Sequence, residues 1–320
     1  MKYQRISVAG ATGYLGIRVV TALRAQNIAV TAIVRNHADS PALRKLVTLG
    51  CTVVAVDAAR KEPYEFAIVD ADVAISCMAS RNTGMDPAND FWSIDRDANI
   101  RFGLAAVASH VRHVVLLATF EGPASRHQSE FTDAKEHAVD AVRIACGAAK
   151  IALTVVRPTA FFSDLTDRAF DSVAKHNRYT EIGNGSHRIN PIDGNDVADL
   201  IRRHLDAPVA GDEELPVGGP DILTFHDIGS LAAESLGRLD QLRFRMIPVA
   251  LLRVLASLAK VGGKLSRRSR RSAAILKWMI YVGTHDAVAP CAGARRLRDA
   301  FTAKRIAFDA QLPQVPSMTL

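Results

Sequence analysis

Three glycines spaced three residues apart, Gly10, Gly13 and Gly16, lie between a short apolar run and an amphipathic segment. The run at residues 6–9 is predicted to be a strand, and the segment that begins near Tyr14 has the apolar spacing of a helix. Glycines at this spacing allow a tight turn, close approach of a ligand and close packing of helix on strand. The pattern predicts a strand–turn–helix unit in which free N–H groups at the helix start face a pyrophosphate.

The first half of the chain alternates short β-branched runs with longer helical patterns. This alternation is typical of an α/β fold, here a Rossmann-type doubly wound parallel sheet with helices on both faces. We therefore expect a dinucleotide-binding domain at residues 1–160. The further predicted strands are residues 29–35, 51–57, 73–77, 113–119 and 152–157.

After Pro158 the pattern changes, because turn signals become frequent and the apolar runs become short. We expect residues 161–320 to form a smaller C-terminal substrate lobe over the edge of the sheet where such folds bind their ligands. Residues 194–217, a helical pattern followed by a short strand, are predicted to pack back on the first domain.

Composition narrows the class of protein. An apolar share of 48% and a charged share of 23% are those of an ordinary globular chain. The four cysteines are far apart and form no Cys-x-x-Cys pair, which argues against a zinc site or a disulfide framework. His110 and His113 have no carboxylate or cysteine nearby, so we predict no metal site. The first residues lack the pattern of a secretory leader, and we expect a cytoplasmic protein.

The end of the second strand indicates which nicotinamide dinucleotide binds. An acidic residue there would hold the 2′-hydroxyl of NAD, whereas Arg35 suits the 2′-phosphate of NADP. We predict NADP(H) as the cofactor. Asp57, after the third strand, could contact the adenine amino group or simply form a turn. The candidate cofactor residues lie in the glycine turn or follow the predicted strands. They are Gly10, Thr12, Gly13, Tyr14, Leu15, Gly16, Arg35, Asp57, Ala79, Ser80 and Pro158.

Thr119 ends the fifth strand, and the next helix contains Phe131-Thr-Asp-Ala-Lys135. Together with the glycine turn, these residues resemble the short-chain dehydrogenase/reductase superfamily. In its ordinary members the aromatic residue is a tyrosine that donates a proton, and the lysine binds the nicotinamide ribose. The resemblance therefore adds Lys135 to the cofactor residues. Phe131 cannot donate a proton, so ketone reduction or sugar epimerisation by the usual mechanism is not expected.

The chain is similar to atypical, NmrA-like members of this superfamily that are related to divinyl chlorophyllide vinyl reductase. These members reduce a carbon–carbon double bond and also have a phenylalanine before the lysine. This second resemblance extends over most of residues 6–220. It implies an NADP(H)-dependent oxidoreductase that reduces a conjugated C=C bond in a small hydrophobic substrate. An alternative is a catalytically silent NADPH-binding sensor, regulator or assembly factor. The matching pieces are residues 10–16, 76–81, 116–119, 131–135, 157–162 and 216–220.

Reduction of a conjugated bond leaves a carbanion or enolate that needs charge stabilisation and a proton. Lys135 could hold the ribose hydroxyls and supply positive charge, and Thr119 could orient a polar group of the substrate. Tyr179, His127 or water could donate the proton. Each side chain also has an ordinary interpretation: a surface lysine, a core or lid tyrosine, and a solvated loop histidine.

A basic segment distinguishes the C-terminal part of the chain. Residues 241–285 contain ten Lys or Arg and no Asp or Glu, in a protein with a net charge of +7. Cations at 260–271 are flanked by apolar helical patterns, and Trp278 could anchor at an interface. Peripheral contact of residues 260–280 with an anionic membrane fits this pattern, as does a solvated loop. Nucleic acid is not an expected partner, because no aromatic residues interleave the cations. The oligomeric state is not predicted.

Overall fold

In the computed structural model, the described residues are 3–80, 90–120, 122–207, 211–262 and 267–311, without the side chains of 262 and 267–271. Arg81 and residues 263–266, which belong to the predicted motifs, lie outside this part. The described strands are β1 (Arg5–Ala9), β2 (Ala29–Val34), β3 (Thr52–Ala55), β4 (Val73–Ser76), β5 (His113–Leu117), β6 (Ala152–Pro158), β7 (Arg178–Ile182), β8 (Arg188–Ile189), β9 (Asp212–Val217), β10 (Leu223–Thr224) and β11 (Arg243–Ile247).

Seven strands form one parallel sheet in the order β3-β2-β1-β4-β5-β6-β9. The predicted doubly wound α/β sheet is therefore confirmed. The strand order reverses between β1 and β4, and the carboxyl ends of these two strands flank the crevice in which folds of this kind bind ligands. Strands β2 and β3 end at Val34 and Ala55, earlier than the predicted ends at Arg35 and Asp57.

The helices pack on both faces of this sheet and in the second lobe. They are α1 (Tyr14–Arg24), α2 (Pro41–Thr48), α3 (Glu65–Ile68), α4 (Asn99–Ala108), α5 (Glu130–Ala149), α6 (Phe162–His176), α7 (Gly194–His204), α8 (Phe225–Ser235), α9 (Val249–Gly262), α10 (Arg267–Val282) and α11 (Leu297–Asp309), with short 3₁₀ turns at Ala58–Arg60 and Leu239–Gln241. Among the described ranges, no helix combines the length and the apolar content needed to cross a bilayer.

Two apolar layers enclose the sheet because its strands alternate between the faces. Ile6 and Val8 of β1 pack with α1 and α7 on one face. Ala9 of the same strand and Ala74 of β4 pack with α4 and α5 on the other. Strand β9 is hydrogen-bonded to β6, so residues 212–217 extend the large sheet.

A third apolar cluster lies in the second lobe, where α6, α8 and α11 meet around Phe170, Ile228 and Phe301. Two small sheets accompany it: β7 pairs with β11 in parallel, and β8 pairs with β10 antiparallel. The division of the chain into domains at residue 160 stays a prediction.

The segment before α4 differs from expectation. The sequence predicts one helix from about Ser93 to Ser109, but residues Phe91–Ala98 form a π-helix that continues into α4. The Asp90 side chain accepts a hydrogen bond from the Ser93 N–H at 2.8 Å and so caps the first turn. π-Helices are rare in proteins, and those that occur are often located at functional sites.

Candidate functional site

Two of the glycines are required by the backbone itself. Gly10 has a φ of +73°, and a Cβ atom on it would lie 2.9 Å from the carbonyl carbon of Cys77 at the end of β4. A Cβ atom on Gly16 would lie 2.1 Å from the Gly10 carbonyl oxygen. These positions therefore fix the tight turn and the contact between helix and strand, as predicted from the spacing.

Gly13 leaves the start of α1 open to a ligand. It is the N-cap residue, and no side chain caps the helix or places an acidic group in its first turn. The first N–H groups of the eleven-residue helix thus remain for an anion. The Tyr14 ring lies elsewhere: its hydroxyl accepts a hydrogen bond from the Gly194 N–H at 3.2 Å. Leu15 is in the core. Binding by Tyr14 and Leu15 would thus use backbone N–H groups.

Arg35 and Asp57 lie after the carboxyl ends of β2 and β3. Arg35 is exposed, and no carboxylate within the described part of the chain pairs with it. Asp57 has a structural role, because its Oδ1 atom accepts the Ala59 N–H at 3.0 Å and caps the turn at Ala58–Arg60. The turn-forming interpretation of Asp57 is confirmed, and contact with an adenine stays a prediction.

A buried ion pair lies at the centre of the site. Lys135 of α5 and Asp95 of the π-helix approach to 2.9 Å between Nζ and Oδ1, with side-chain exposures of 4% and 0%. The angles at this contact lie outside hydrogen-bond geometry, so neither atom has a hydrogen-bonding partner in the described structure. The other oxygen of Asp95 accepts the Ser80 N–H at 3.1 Å. The surface-lysine interpretation of Lys135 is therefore wrong.

Two buried hydroxyl oxygens nearby also have unused hydrogen-bonding capacity. Thr119 Oγ1 follows β5 and Ser80 Oγ follows β4, and neither has a partner in the described structure. Buried polar groups are normally paired, so such atoms indicate a place where a ligand or water completes the bonding. The open helix start and these hydroxyls, at the carboxyl edge of the sheet, fit a bound dinucleotide.

Phe131 fills the space next to the lysine with an apolar ring. Its centroid is 5.3 Å from the Phe91 centroid and 5.3 Å from Lys135 Nζ. At this position, where the sequence predicts no proton donor, an aromatic ring thus lies beside a buried cation. Burial raises the pKa of the Cys77 thiol to about 12, and the positive charge of Lys135 partly offsets this rise.

A buried charged network supports the loop that follows β5. Arg157 donates to the Thr119 carbonyl at 3.0 Å and to both carboxylate oxygens of Glu136 at 2.6 and 3.1 Å. It also donates to Glu214 of β9. Because Glu136 follows Lys135 directly, this network links the lysine-bearing helix, the threonine and two strands.

Tyr179 and His127 lie apart from these contacts. The Tyr179 ring packs edge-on against Phe244 at 6.3 Å, and burial raises its pKa above the ordinary value. No contact in the described structure joins Tyr179 to Lys135 or Thr119, and its role as proton donor stays a prediction. His127 has a side-chain exposure of 89% and lies near Asp133, which agrees with a solvated loop histidine.

The sequence interpretation missed Asp95 and Asn99. Both lie on the buried stripe that continues through Ala98 and Phe102, and a carboxylate on such a stripe was the available signal. Asn99 accepts the Ser76 hydroxyl at 2.6 Å and donates to the Asp95 carbonyl at 3.2 Å. In the described part, no group of three or more potential ligand side chains could hold a metal ion.

The chain belongs to an NAD(P)H-binding family, whose profile matches residues 10–208, more than half of the sequence. The cofactor class expected from the glycine turn is thereby confirmed.

Relatives in the comparison are divinyl chlorophyllide a 8-vinyl-reductases of chloroplasts. The protein of Arabidopsis thaliana is 27% identical over 282 residues, which cover 80% of this chain and 64% of that protein. The protein of Cucumis sativus is 28% identical, with coverages of 78% and 61%. The chain thus spans less than two thirds of the length of these relatives. The resemblance stated from the sequence motifs is confirmed.

Solved structures share the fold at low identity. An NADPH-dependent quinone oxidoreductase from Escherichia coli, complexed with NADPH, has a TM-score of 0.66 and 17% identity, covering 93% of this chain and 99% of that one. A UDP-glucose 4-epimerase of Thermus thermophilus in complex with NAD has a TM-score of 0.61 and 16% identity, with coverages of 76% and 86%. At these identities the likeness extends to the fold alone.

Proposed function

We propose that this protein is an NADPH-dependent reductase of a conjugated carbon–carbon double bond in a small hydrophobic substrate. The observation that carries the proposal is the buried Lys135–Asp95 pair beside Phe131, where ordinary members of the superfamily have a tyrosine. The vinyl-reductase relatives support the same reaction class. A site with a buried cation and no phenol favours stabilising a carbanion over protonating an alkoxide.

The dinucleotide would be held at three places. The open start of α1 at Gly13 would receive the pyrophosphate. The exposed guanidinium of Arg35 would pair with a 2′-phosphate, and Lys135 would hold the nicotinamide ribose. When bound, NADPH supplies the hydride for the reaction.

The protein groups would then act on the substrate. The Lys135 ammonium, kept in place by Asp95, stabilises negative charge that develops on the conjugated system. The Thr119 hydroxyl orients a polar substituent, while the Arg157 network holds the backbone of that residue. Phe131 and Phe91 exclude water from one side of the cation.

The test is stopped-flow oxidation of NADPH with a panel of conjugated enones and tetrapyrroles. We expect turnover of at least one acceptor, lost in Lys135→Met and retained in Lys45→Met, which alters an exposed lysine of α2. Tight NADPH binding without oxidation by any acceptor would instead favour the silent sensor. Tyr179→Phe tests one proton source: lost turnover with unchanged NADPH binding supports Tyr179, and unchanged turnover supports His127 or water.

A further inference from the structure

Helix α9 carries an apolar stripe that no other part of the described structure covers. Its members recur at the spacing of one helical face, and all are between 42% and 69% exposed. Monomeric proteins seldom expose contiguous apolar patches of this kind unless the patch is an interaction site. The α9 stripe consists of Leu251, Val254, Leu255, Leu258 and Val261.

The opposite side of α9 already packs against the protein. Leu252 and Ala256 are 2% and 9% exposed, and the helix lies along α10. At 100° per residue, Leu252 and Ala256 lie roughly 125° and 165° from the centre of the stripe. The stripe is therefore a second apolar face and not the core-facing side of an incompletely buried helix. On α10, Ile275 and Trp278 are also exposed, at 37% and 39%.

The charged residues of the segment that contains the stripe have one sign. Between residues 241 and 285 the sequence has ten cations and no carboxylate. The exposed cations whose side chains belong to the described part of the chain form no ion pair with any other residue of that part. They are Arg243, Arg245, Arg253, Lys260 and Lys277. An exposed apolar face on a segment whose described cations are unpaired complements a surface that is anionic outside and apolar beneath.

We propose that the α9 stripe docks this protein on an anionic lipid bilayer, with α9 lying in the plane of the interface. The aliphatic side chains enter the boundary between headgroups and acyl chains, Trp278 lies at headgroup depth, and the cations pair with lipid phosphates. A second copy of the chain is a poorer occupant, because a two-fold interface would bring two copies of the same cationic segment together. The proposal is independent of whether the site turns over a substrate.

The test is co-sedimentation of the 320-residue chain with vesicles. One set contains phosphatidylcholine alone, and the other contains equal parts of phosphatidylcholine and phosphatidylglycerol. We expect binding to the mixed vesicles, weaker binding to the neutral ones, and weakening by added salt. Lys260→Gln should reduce partitioning to the mixed vesicles roughly fivefold.

Leu258→Glu is the variant that tests whether the α9 stripe binds the bilayer, and Ile306→Glu is its control. Both side chains are 65% exposed on a helix, but Ile306 is on α11, away from the stripe. Leu258→Glu should weaken vesicle binding by about tenfold or more, and Ile306→Glu should leave it unchanged. Circular dichroism and NADPH binding report whether both variants fold.

Three results would overturn the proposal. The first is failure of the wild-type chain to sediment with mixed vesicles. The second is equal binding by Leu258→Glu and the wild type. The third is a dimer, measured by light scattering, that Leu258→Glu dissociates, since this would assign the α9 stripe to a second copy.

Discussion

Asp95→Asn tests whether Asp95 and Lys135 depend on each other for their contribution to the stability of the fold. The substitution keeps the size of the side chain and an oxygen that can accept the Ser80 N–H, but it removes the charge that faces Lys135. Because Lys135 is only 4% exposed, its ammonium would remain buried without a counterion. Breaking a buried pair in this way costs about 3–5 kcal/mol of unfolding free energy.

A double-mutant cycle measures how far the losses of unfolding free energy at Asp95 and Lys135 depend on each other. Lys135→Met alone leaves the Asp95 carboxylate buried and should cost a similar amount, again about 3–5 kcal/mol. If the two losses were independent, the double variant would lose roughly 6–10 kcal/mol, which is most of the stability of an ordinary domain. Because the double variant leaves no buried charge, we expect it to be much more stable than that, with a coupling energy above about 2 kcal/mol.

Urea unfolding followed by circular dichroism on the four proteins measures this coupling. Asp171→Asn is the matched control, since it breaks the Lys175–Asp171 pair of α6, whose side chains are 66% and 57% exposed. That exposed pair should contribute less than about 1 kcal/mol. Additive losses in the Asp95–Lys135 cycle, or a loss for Asp95→Asn no larger than the control, would refute the interpretation of the pair as a mutually dependent buried unit.

Two further predictions concern the dinucleotide. Arg35→Asp should weaken binding of NADPH far more than binding of NADH, because the 2′-phosphate loses its cation and meets a carboxylate. Titration followed by nucleotide fluorescence measures both affinities, and equal weakening would contradict the role of Arg35. Gly16→Ala should abolish NADPH binding and lower the unfolding midpoint, since its Cβ would lie 2.1 Å from the Gly10 carbonyl oxygen. Gly147→Ala on α5 is the control: its Cβ would have no neighbour within 4 Å, so stability should rise by about 0.5–1 kcal/mol. A folded Gly16→Ala protein that binds NADPH normally would show that the turn tolerates a side chain.

Much of the fold was accessible from the sequence, because its signals are local. The alternation of apolar runs and helical patterns predicted the parallel sheet, and the spacing of Gly10, Gly13 and Gly16 predicted the turn. Lys135 and Thr119 were identified from the resemblance. Asp95 was not, because its partner is forty residues away along the chain and the contact depends on the π-helix at Phe91–Ala98.

By itself, the sequence of this protein determined the class of fold and the class of cofactor. The fold class follows from the alternation of apolar runs and helical patterns along the chain. The cofactor class follows from backbone requirements, such as a positive φ at Gly10 and close approach at Gly16, that few residue types satisfy. The tertiary structure decided which charged groups are buried together and which apolar residues remain exposed. Leu252 and Leu258 of α9 are the same residue type, yet their exposures are 2% and 65%. Only the packing of distant elements around a helix determines which of its apolar faces is covered.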